Sequence, residues 1–341
     1  MDTSNTTRIR VKFLSKSCQS PASTASWRQL LPAAAAQWGA CTFSFDRDDP
    51  DYDWLIVYDD LPAHGSTPGM ENLRCPRAQT LLITTEPSSI KVYGHDYVRQ
   101  FGHVLSSQEP WALRHPQVIR QQCGLIWFYG RGTPRGAYDA LIASCPSEKT
   151  RLISTVCSAK QMKHTLHQAR YHFTQQLAQR LPELEVFGHG VRELRDKADA
   201  LDSYRYHLAI ENHIAPHHWT EKLADAFLGL CLPFYYGCPE AQQDFPADSL
   251  IPIDIHDPAA AESIIRAAIA SDAYEQRLPL LLEARELVLQ RHGFFPTVAR
   301  LIEQRHPTQT QTGFEKFTLR SRHHLRRNPL IALRSGWEKL Q

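Results

Sequence analysis

Residues 204–239, YRYHLAIENHIAPHHWTEKLADAFLGLCLPFYYGCP, constrain the fold of this chain more than any other stretch. YHLAI is a short apolar run that stops at two polar side chains, Glu211 and Asn212, as a buried strand does when it leaves a sheet. A loop follows, in which Pro216 forbids early helix. Thr220 then stands where an N-cap belongs, with Glu221 in the first turn. Leu223, Ala226, Phe227, Leu230 and Cys231 recur at helical spacing, which predicts a helix over 221–231 with one buried face. LPFYYG reads as a second strand, and Gly237-Cys238-Pro239 turns out of it. Strand, polar loop, helix, strand is one unit of a parallel α/β sheet. Ligands of such sheets sit beyond the carboxyl ends of the strands, near helix N-termini. Glu211, Asn212, Glu221 and Lys222 all fall there. The helix dipole, its free amides and the Lys222 ammonium suit a diphosphate, whereas a Glu suits sugar hydroxyls.

The 341 residues suffice for one large or two ordinary cores. A net charge of +2 carries no polyanion-binding signature, and a hydrophobic fraction of 42% reads as a soluble chain. MDTSNTTRIRVKFLS lacks the apolar core of a signal peptide. No apolar run approaches the roughly 18 residues of a membrane span. Eight cysteines without a CxxC pair read as reduced thiols, so a cytoplasmic protein is expected.

Ile210-Glu211-Asn212, then His218-Trp219-Thr220-Glu221-Lys222, then the strand from Pro233 to Pro239 resemble the donor-site motif of glycosyltransferase family 10, the α-1,3/4-fucosyltransferases. An ordinary capped βαβ unit explains Thr220 and the apolar stripe, but not Glu-Asn together with Glu-Lys. The resemblance covers roughly 149–270. It implies a GT-B fold, α/β with two Rossmann-like domains facing a central cleft. It also implies an inverting transfer of fucose from GDP-fucose to a glycan acceptor, with no cofactor and no protein-bound metal. The acceptors of bacterial members are lipopolysaccharide or related cell-surface glycans. Glu211, Asn212, His218, Thr220, Glu221 and Lys222 are the implied donor-binding residues. Glu221 would hold ribose hydroxyls, Lys222 the diphosphate, and Glu211 with Asn212 the sugar pocket. The chain departs from the family with His218 for its usual Tyr, Trp219 for Ile or Val, His213 for Ser and Ile210 for Phe, which leaves the donor sugar open. His213, His217 and His218 in one loop beside a Lys do not form a metal site.

In the first half, 8–14, 41–45, 53–62, 80–87 and 104–107 read as strands, with a helix over 27–38 and a loop over 63–76. Asp51-Tyr52-Asp53 precedes its strand, so it reads as a solvated loop and not as a metal motif. Thr84-Thr85-Glu86-Pro87 ends an inner strand with a carboxylate, and Pro87 holds Glu86 extended. It is similar to the family segment that carries the general base, which makes Glu86 the expected base and Glu109 the runner-up. Trp111, Trp127, Phe128 and Tyr129 form either core or a sugar platform, and GLIWFYG (124–130) continues the strand–loop alternation. The Gly-, Pro- and Ser-rich stretch 130–147 reads as an inter-domain linker, which gives an acceptor-side domain over 1–145 and a donor domain over 146–305.

In the second half, 149–160 reads as a strand with a Ser-rich exit that includes Ser158. An amphipathic helix over 168–181 follows, with Tyr171, Phe173 or Thr174, Leu177 and Leu181 inward, and then a strand over 186–190. The resemblance aligns Arg170 with a helix arginine of the family and implies a pyrophosphate-pairing arginine just beyond, Arg192 by position with Arg195 as the alternative. Residues 244–258 read as loop, strand and loop, and 259–271 and 273–291 as helices. Residues 306–341 end in FEKFTLRSRHHLRRNPLIALRSGWEKLQ, a basic amphipathic tail. It reads either as an anchor on an anionic membrane surface, peripheral on the inner membrane, or as a helix packed back on the fold. Two further readings stand beside the fucosyl transfer: another nucleotide sugar on the same frame, and a catalytically silent nucleotide- or glycan-binding protein. Nucleic acid is not expected as a partner.

Overall fold

Apolar runs buried on both faces pair into parallel sheets, and the first half of this chain builds one. The structure, a computed structural model, describes residues 8–63, 65, 67–146, 148–160, 162, 165–308 and 313–338. Its strands are β1 (Ile9–Ser15), β2 (Gln37–Trp38), β3 (Cys41–Ser44), β4 (Trp54–Tyr58), β5 (Met70–Asn72), β6 (Thr80–Ile83), β7 (His103–Ser106) and β8 (Val118–Arg120). Seven of them form a sheet of order β2-β3-β1-β4-β6-β7-β8, parallel except for β2 against β3. The chain runs outward from β1 to β3 and then crosses to β4 on the other side, so the sheet reverses its winding between β1 and β4.

The helix expected over 27–38 lies earlier, as α1 (Pro21–Arg28), with Ser20 and Ser23 capping each other. Pro32 is the reason. The residue before a proline is pushed out of helix, and Leu31 is extended at φ −113° and ψ 149°. Ala33, Ala34 and Ala36 then take positive φ before β2 begins. The loop expected over 63–76 contains β5, and β6 ends at Ile83, short of Glu86. A short helix, α2 (His95–Val98), precedes β7.

The second unit holds β9 (Arg151–Val156), β10 (Leu184–Phe187), β11 (Tyr204–Ile210), β12 (Leu232–Tyr236) and β13 (Ile251–Pro252). They form a parallel sheet of order β10-β9-β11-β12-β13, whose reversal falls between β9 and β11. Its helices are α3 (Tyr138–Ala143), α4 (His167–Arg180), α5 (Glu221–Leu228), α6 (Ala241–Asp244), α7 (Pro258–Ala270) and α8 (Ala273–Leu287). On α4, Phe173, Thr174 and Leu177 are buried as expected, but Arg170 is buried in the place expected for Tyr171. The α5 helix stops three residues early, because Leu230 turns at φ 49° after the Gly229 cap.

The chain divides into units Met1–Gly124 with Phe294–Gln341, and Leu125–Gly293. These bounds replace 145/146 and 305/306. The segment read as a linker is folded into the second unit. There Asp196 accepts the amide of Gly130 (2.9 Å), next to the Phe128 (3.0 Å) and Tyr129 (3.1 Å) amides held by Asp225, and the buried Arg285 donates to the carbonyls of Leu141 and Ser144 at the end of α3. The strand expected over 124–130 is an irregular segment with a single bridge, Leu125 to Gly293.

The chain returns to the first unit through α9 (Phe294–Glu303), whose Phe294 packs on Trp27 at 5.0 Å and on Phe13 at 5.5 Å. The tail is not a separate element: β14 (Thr318–Arg320) pairs antiparallel with β5 and buries Leu319. Two helices follow, α10 (Arg322–Leu325) and α11 (Pro329–Trp337). Arg322 donates to the Val92 carbonyl, and Arg334 pairs with Asp96 at 3.1 Å. On α11, Leu330, Leu333 and Trp337 stay 74%, 72% and 66% exposed. Among the described residues, no helix is long and apolar enough to cross a membrane.

Candidate functional site

The site grows from the carboxyl end of β11. Glu211, the first residue past the strand, is 0% exposed. A buried carboxylate needs donors, and the start of α5 supplies them. The Thr220 amide donates to Glu211 Oε1 at 2.8 Å and its hydroxyl to Oε2 at 2.8 Å. Lys222 Nζ lies 3.4 Å from Glu211 Oε2 and 3.2 Å from Glu221 Oε1. Gly237, past β12, makes room for this clasp: a Cβ there would come 2.4 Å from Glu211 Cγ and 2.5 Å from Tyr235 Oη.

Burial pushes the Glu221 carboxyl up, but the Lys222 and Lys197 ammoniums with hydrogen bonds from Lys222 and Thr220 outweigh it and hold it at about 2. Burial likewise pulls Lys222 down, yet Glu221 and Glu211 leave it raised. Both groups are therefore ionised across the physiological range. Glu211 and Thr220 already take the amides of Thr220 and Lys222. Two of the amides expected to be free at this helix start are therefore engaged, and the Lys222 ammonium stands beside them, held by Glu211 and Glu221.

Two buried polar atoms at this end have no hydrogen-bond partner among the described residues: Arg170 Nε and Asn212 Oδ1. Arg170 reaches in from α4 and donates from Nη1 to the Ile210 carbonyl at 3.3 Å. Its positive charge opposes that of Lys222, so two cations converge where β11 ends. The Asn212 carbonyl accepts the Leu166 amide at 3.1 Å. His218 is buried edge-on against His213 at 5.4 Å between centroids. His217 pairs instead with Glu240 at 3.0 Å. Ser158 is half-exposed just past β9, the strand on the other side of the reversal.

The structure does not bring Arg192 into this group. Its guanidinium lies over the Phe187 ring at 4.4 Å and pairs with Glu185 on β10 at 2.8 Å. Arg195 is exposed on the same loop. Two residues that sequence reasoning missed are Asp225 and Lys197. Asp225 follows Glu221 by one turn of α5 and is fully buried, and Lys197 Nζ meets its Oδ2 at 2.7 Å. The signal was an aspartate on the otherwise apolar face of EKLADAFL.

In the first unit, Glu86 is exposed just past β6. Its backbone is held on both sides. The Thr85 amide donates to Tyr93 Oη at 2.9 Å, and Gln108 Nε2 donates to the Glu86 carbonyl at 2.8 Å. Tyr93 in turn donates to Asp59 at 2.7 Å, and Lys91 pairs with the same carboxylate. Glu109 is half-buried, with its carbonyl accepting the Ala112 amide. The aromatic group divides: Trp127 and Tyr129 are core of the second unit, whereas Trp111 and Phe128 are exposed. Asp51 and Asp53 both bind Arg10.

Residues 146–268 match the family described as glycosyltransferase family 10 (fucosyltransferase), C-terminal. No curated protein matches the chain. A solved α1,3-fucosyltransferase is 14% identical, with 93% of this chain and 94% of that chain covered at a TM-score of 0.54. The same description with GDP gives 14%, 91%, 94% and 0.54. With GDP-fucose it gives 14%, 92%, 95% and 0.50. The likeness is one of fold, an α/β fold of the GT-B class.

Proposed function

We propose that this chain, a glycosyltransferase whose residues 146–268 belong to the family 10 (fucosyltransferase) C-terminal domain, moves fucose from GDP-fucose to a glycan hydroxyl in α-1,3/4 linkage with inversion. The acceptor would be a cell-surface polysaccharide or lipopolysaccharide. The observation that carries the donor site is the pair of orphaned buried atoms, Arg170 Nε and Asn212 Oδ1, beside a Lys222 already held by two carboxylates. Buried polar atoms are nearly always satisfied in the working state. A diphosphate and a sugar supply an acceptor for one and a donor for the other. The solved fucosyltransferases with GDP and GDP-fucose support a nucleotide-sugar donor.

In this reading Glu86 removes the proton of the acceptor hydroxyl as it attacks the anomeric carbon. The sugar passes through an oxocarbenium-like state, as in glycoside hydrolysis. Charge on the leaving GDP is met by Lys222 and Arg170, without a protein-bound metal. Glu221, ionised and partly exposed, accepts from ribose hydroxyls. Glu211 does not touch donor; it fixes Thr220 and Lys222. His218, in the place of the family's tyrosine, favours one second reading, a different GDP-sugar on the same frame.

The test is thermal shift of the purified protein with GDP, GDP-fucose, GDP-mannose, UDP-glucose and EDTA, since a ligand that binds only the folded state raises its midpoint. GDP and GDP-fucose should stabilise, with EDTA without effect. Stabilisation by GDP-mannose alone moves the donor to the second reading. No shift with any nucleotide sinks the donor site.

For location, the exposed Leu330, Leu333 and Trp337 of α11, with Arg326, Arg327 and Arg334 nearby in sequence, are proposed to rest on an anionic membrane surface. Sedimentation with phosphatidylglycerol vesicles, lost on Trp337→Ser, checks it.

A further inference from the structure

The first unit has a cleft of about 700 Å³ where β1 and β3 end and α1 begins. That is the carboxyl edge of a parallel sheet, beside the strand at which its winding reverses, where such sheets bind ligands. Glu86 leaves the same edge from β6, two strands from β1 in the order β1-β4-β6. At about 4.8 Å per strand, the cleft and Glu86 stand roughly 10–15 Å apart along that edge. The cleft is too far from Glu86 to hold the reacting hydroxyl. It is at the right distance for a later sugar of the same acceptor.

The lining says what fits. Phe45 offers an apolar floor, with the Arg28 guanidinium over its ring at 5.7 Å. Pro62 and Ala25 wall it, and Thr24 and Asp46, residue types that bind hydroxyl groups, line it as well. The start of α1 is closed to a phosphate. The Ser23 amide is taken by Ser20 Oγ at 3.2 Å, and the Ser23 hydroxyl donates to the Ser20 carbonyl at 2.9 Å. The two guanidiniums that line the cleft are engaged, Arg28 over Phe45 and Arg47 on the Pro62 carbonyl at 3.0 Å, so the apolar floor with hydroxyl-binding groups matches a neutral pyranose. We propose that this cleft binds a non-reacting sugar of the acceptor, so that the chain selects an extended oligosaccharide over a short one. The inference rests on the glycosyl-transfer reading above.

Cys18 lines the cleft, half-buried, with its sulfur 3.3 Å from Thr24 Oγ1. Its alkylation by N-ethylmaleimide, followed by peptide mass spectrometry, therefore reports occupancy without turnover, with the exposed Cys145 as internal control. A β-linked galactose–N-acetylglucosamine tetrasaccharide at about four times its Kd should slow Cys18 labelling about fivefold. The matching disaccharide and inorganic phosphate should not. Ala25→Trp, at an exposed position of α1, fills the cleft. It should abolish the protection and raise KM for the tetrasaccharide about tenfold at constant kcat. Equal protection by disaccharide and tetrasaccharide, protection by phosphate, or an unchanged KM in Ala25→Trp overturns the proposal. The two readings fail separately. A protein that protects Cys18 but transfers no fucose keeps the glycan cleft and loses the transfer. One that transfers fucose to the tetrasaccharide with Cys18 unprotected does the reverse.

Discussion

The carboxylate of Glu211 and the N-cap of α5, Thr220, are locked together by an amide and a hydroxyl bond, each of 2.8 Å. Ten residues of loop separate the end of β11 from the start of α5, and this pair closes that loop inside the second unit. Lys222 hangs on the same clasp at 3.4 Å. Removing its ammonium leaves Glu211 buried without a counter-charge, which destabilises by about 3–5 kcal/mol when a buried pair is broken. Lys222→Ala should therefore lower the unfolding midpoint and abolish GDP binding together, read by urea titration and calorimetry. Full stability would show that the clasp does not depend on Lys222.

Arg170 and Arg192 should separate cleanly. Arg170 is buried with Nε unpartnered, whereas Arg192 is engaged by Glu185 and Phe187. Hydrogen bonds to charged groups contribute about 1.5–3 kcal/mol, or roughly tenfold to a hundredfold in affinity. Arg170→Ala should weaken GDP by that factor and Arg192→Ala by less than about twofold, measured by calorimetry. The opposite ranking would return the phosphate role to Arg192.

Gly237→Ala tests the packing under the clasp. The new Cβ would meet Glu211 Cγ at 2.4 Å and Tyr235 Oη at 2.5 Å. Overpacking of this kind destabilises by about 1–3 kcal/mol. Because Glu211 must shift, the affinity for GDP should fall as well, so both the unfolding midpoint and the GDP titration should move.

Glu86→Gln should leave the affinity for GDP-fucose within error while lowering kcat about 10²–10⁴-fold, the usual contribution of a general base. The backbone anchors from Gln108 and Tyr93 are unaffected by this change. Retained transfer would pass the role to Glu109.

His207 should make stability fall in mild acid. Burial, with Lys197 and Lys149 nearby, pulls this imidazole from 6.5 to about 3, and its Nδ1 bonds Ser154 Oγ at 2.8 Å. The depressed value sets the sign. Between pH 6.5 and 3 the unfolded chain holds a proton that the folded chain refuses. Stability is full above 6.5 and is lost as pH falls, by up to about 1.4 kcal/mol per pH unit. His207→Gln should flatten that limb in urea melts from pH 7 to pH 5.

Most of the second unit was legible because its signals are local. A strand ending in Glu211-Asn212, a cap at Thr220 and a stripe on α5 all lie within one short segment, and each has a short-range cause in sheet exit, capping or periodicity. The helix expected over 27–38 failed for an equally local reason, Pro32, whose effect on Leu31 outweighs the apolar spacing around it.

What the sequence by itself determined, then, is the alternation of strands and helices and which polar residues stand at the strand ends. These follow from spacing and caps within a few residues. Tertiary structure alone decided which of those residues meet. Arg170 and not Arg192 meets the end of β11, because α4 turns it inward onto the Ile210 carbonyl while β10 supplies Glu185 to hold the other. Glu211 became a support for Lys222 because Gly237 lets it fold beneath Thr220. The apparent linker became part of the second unit because Asp196 and Arg285 satisfy its backbone groups, and the tail became part of the first because β5 pairs with β14. Hydrogen bonds and ion pairs between distant segments leave no mark in a local pattern, so only the folded chain could assign them.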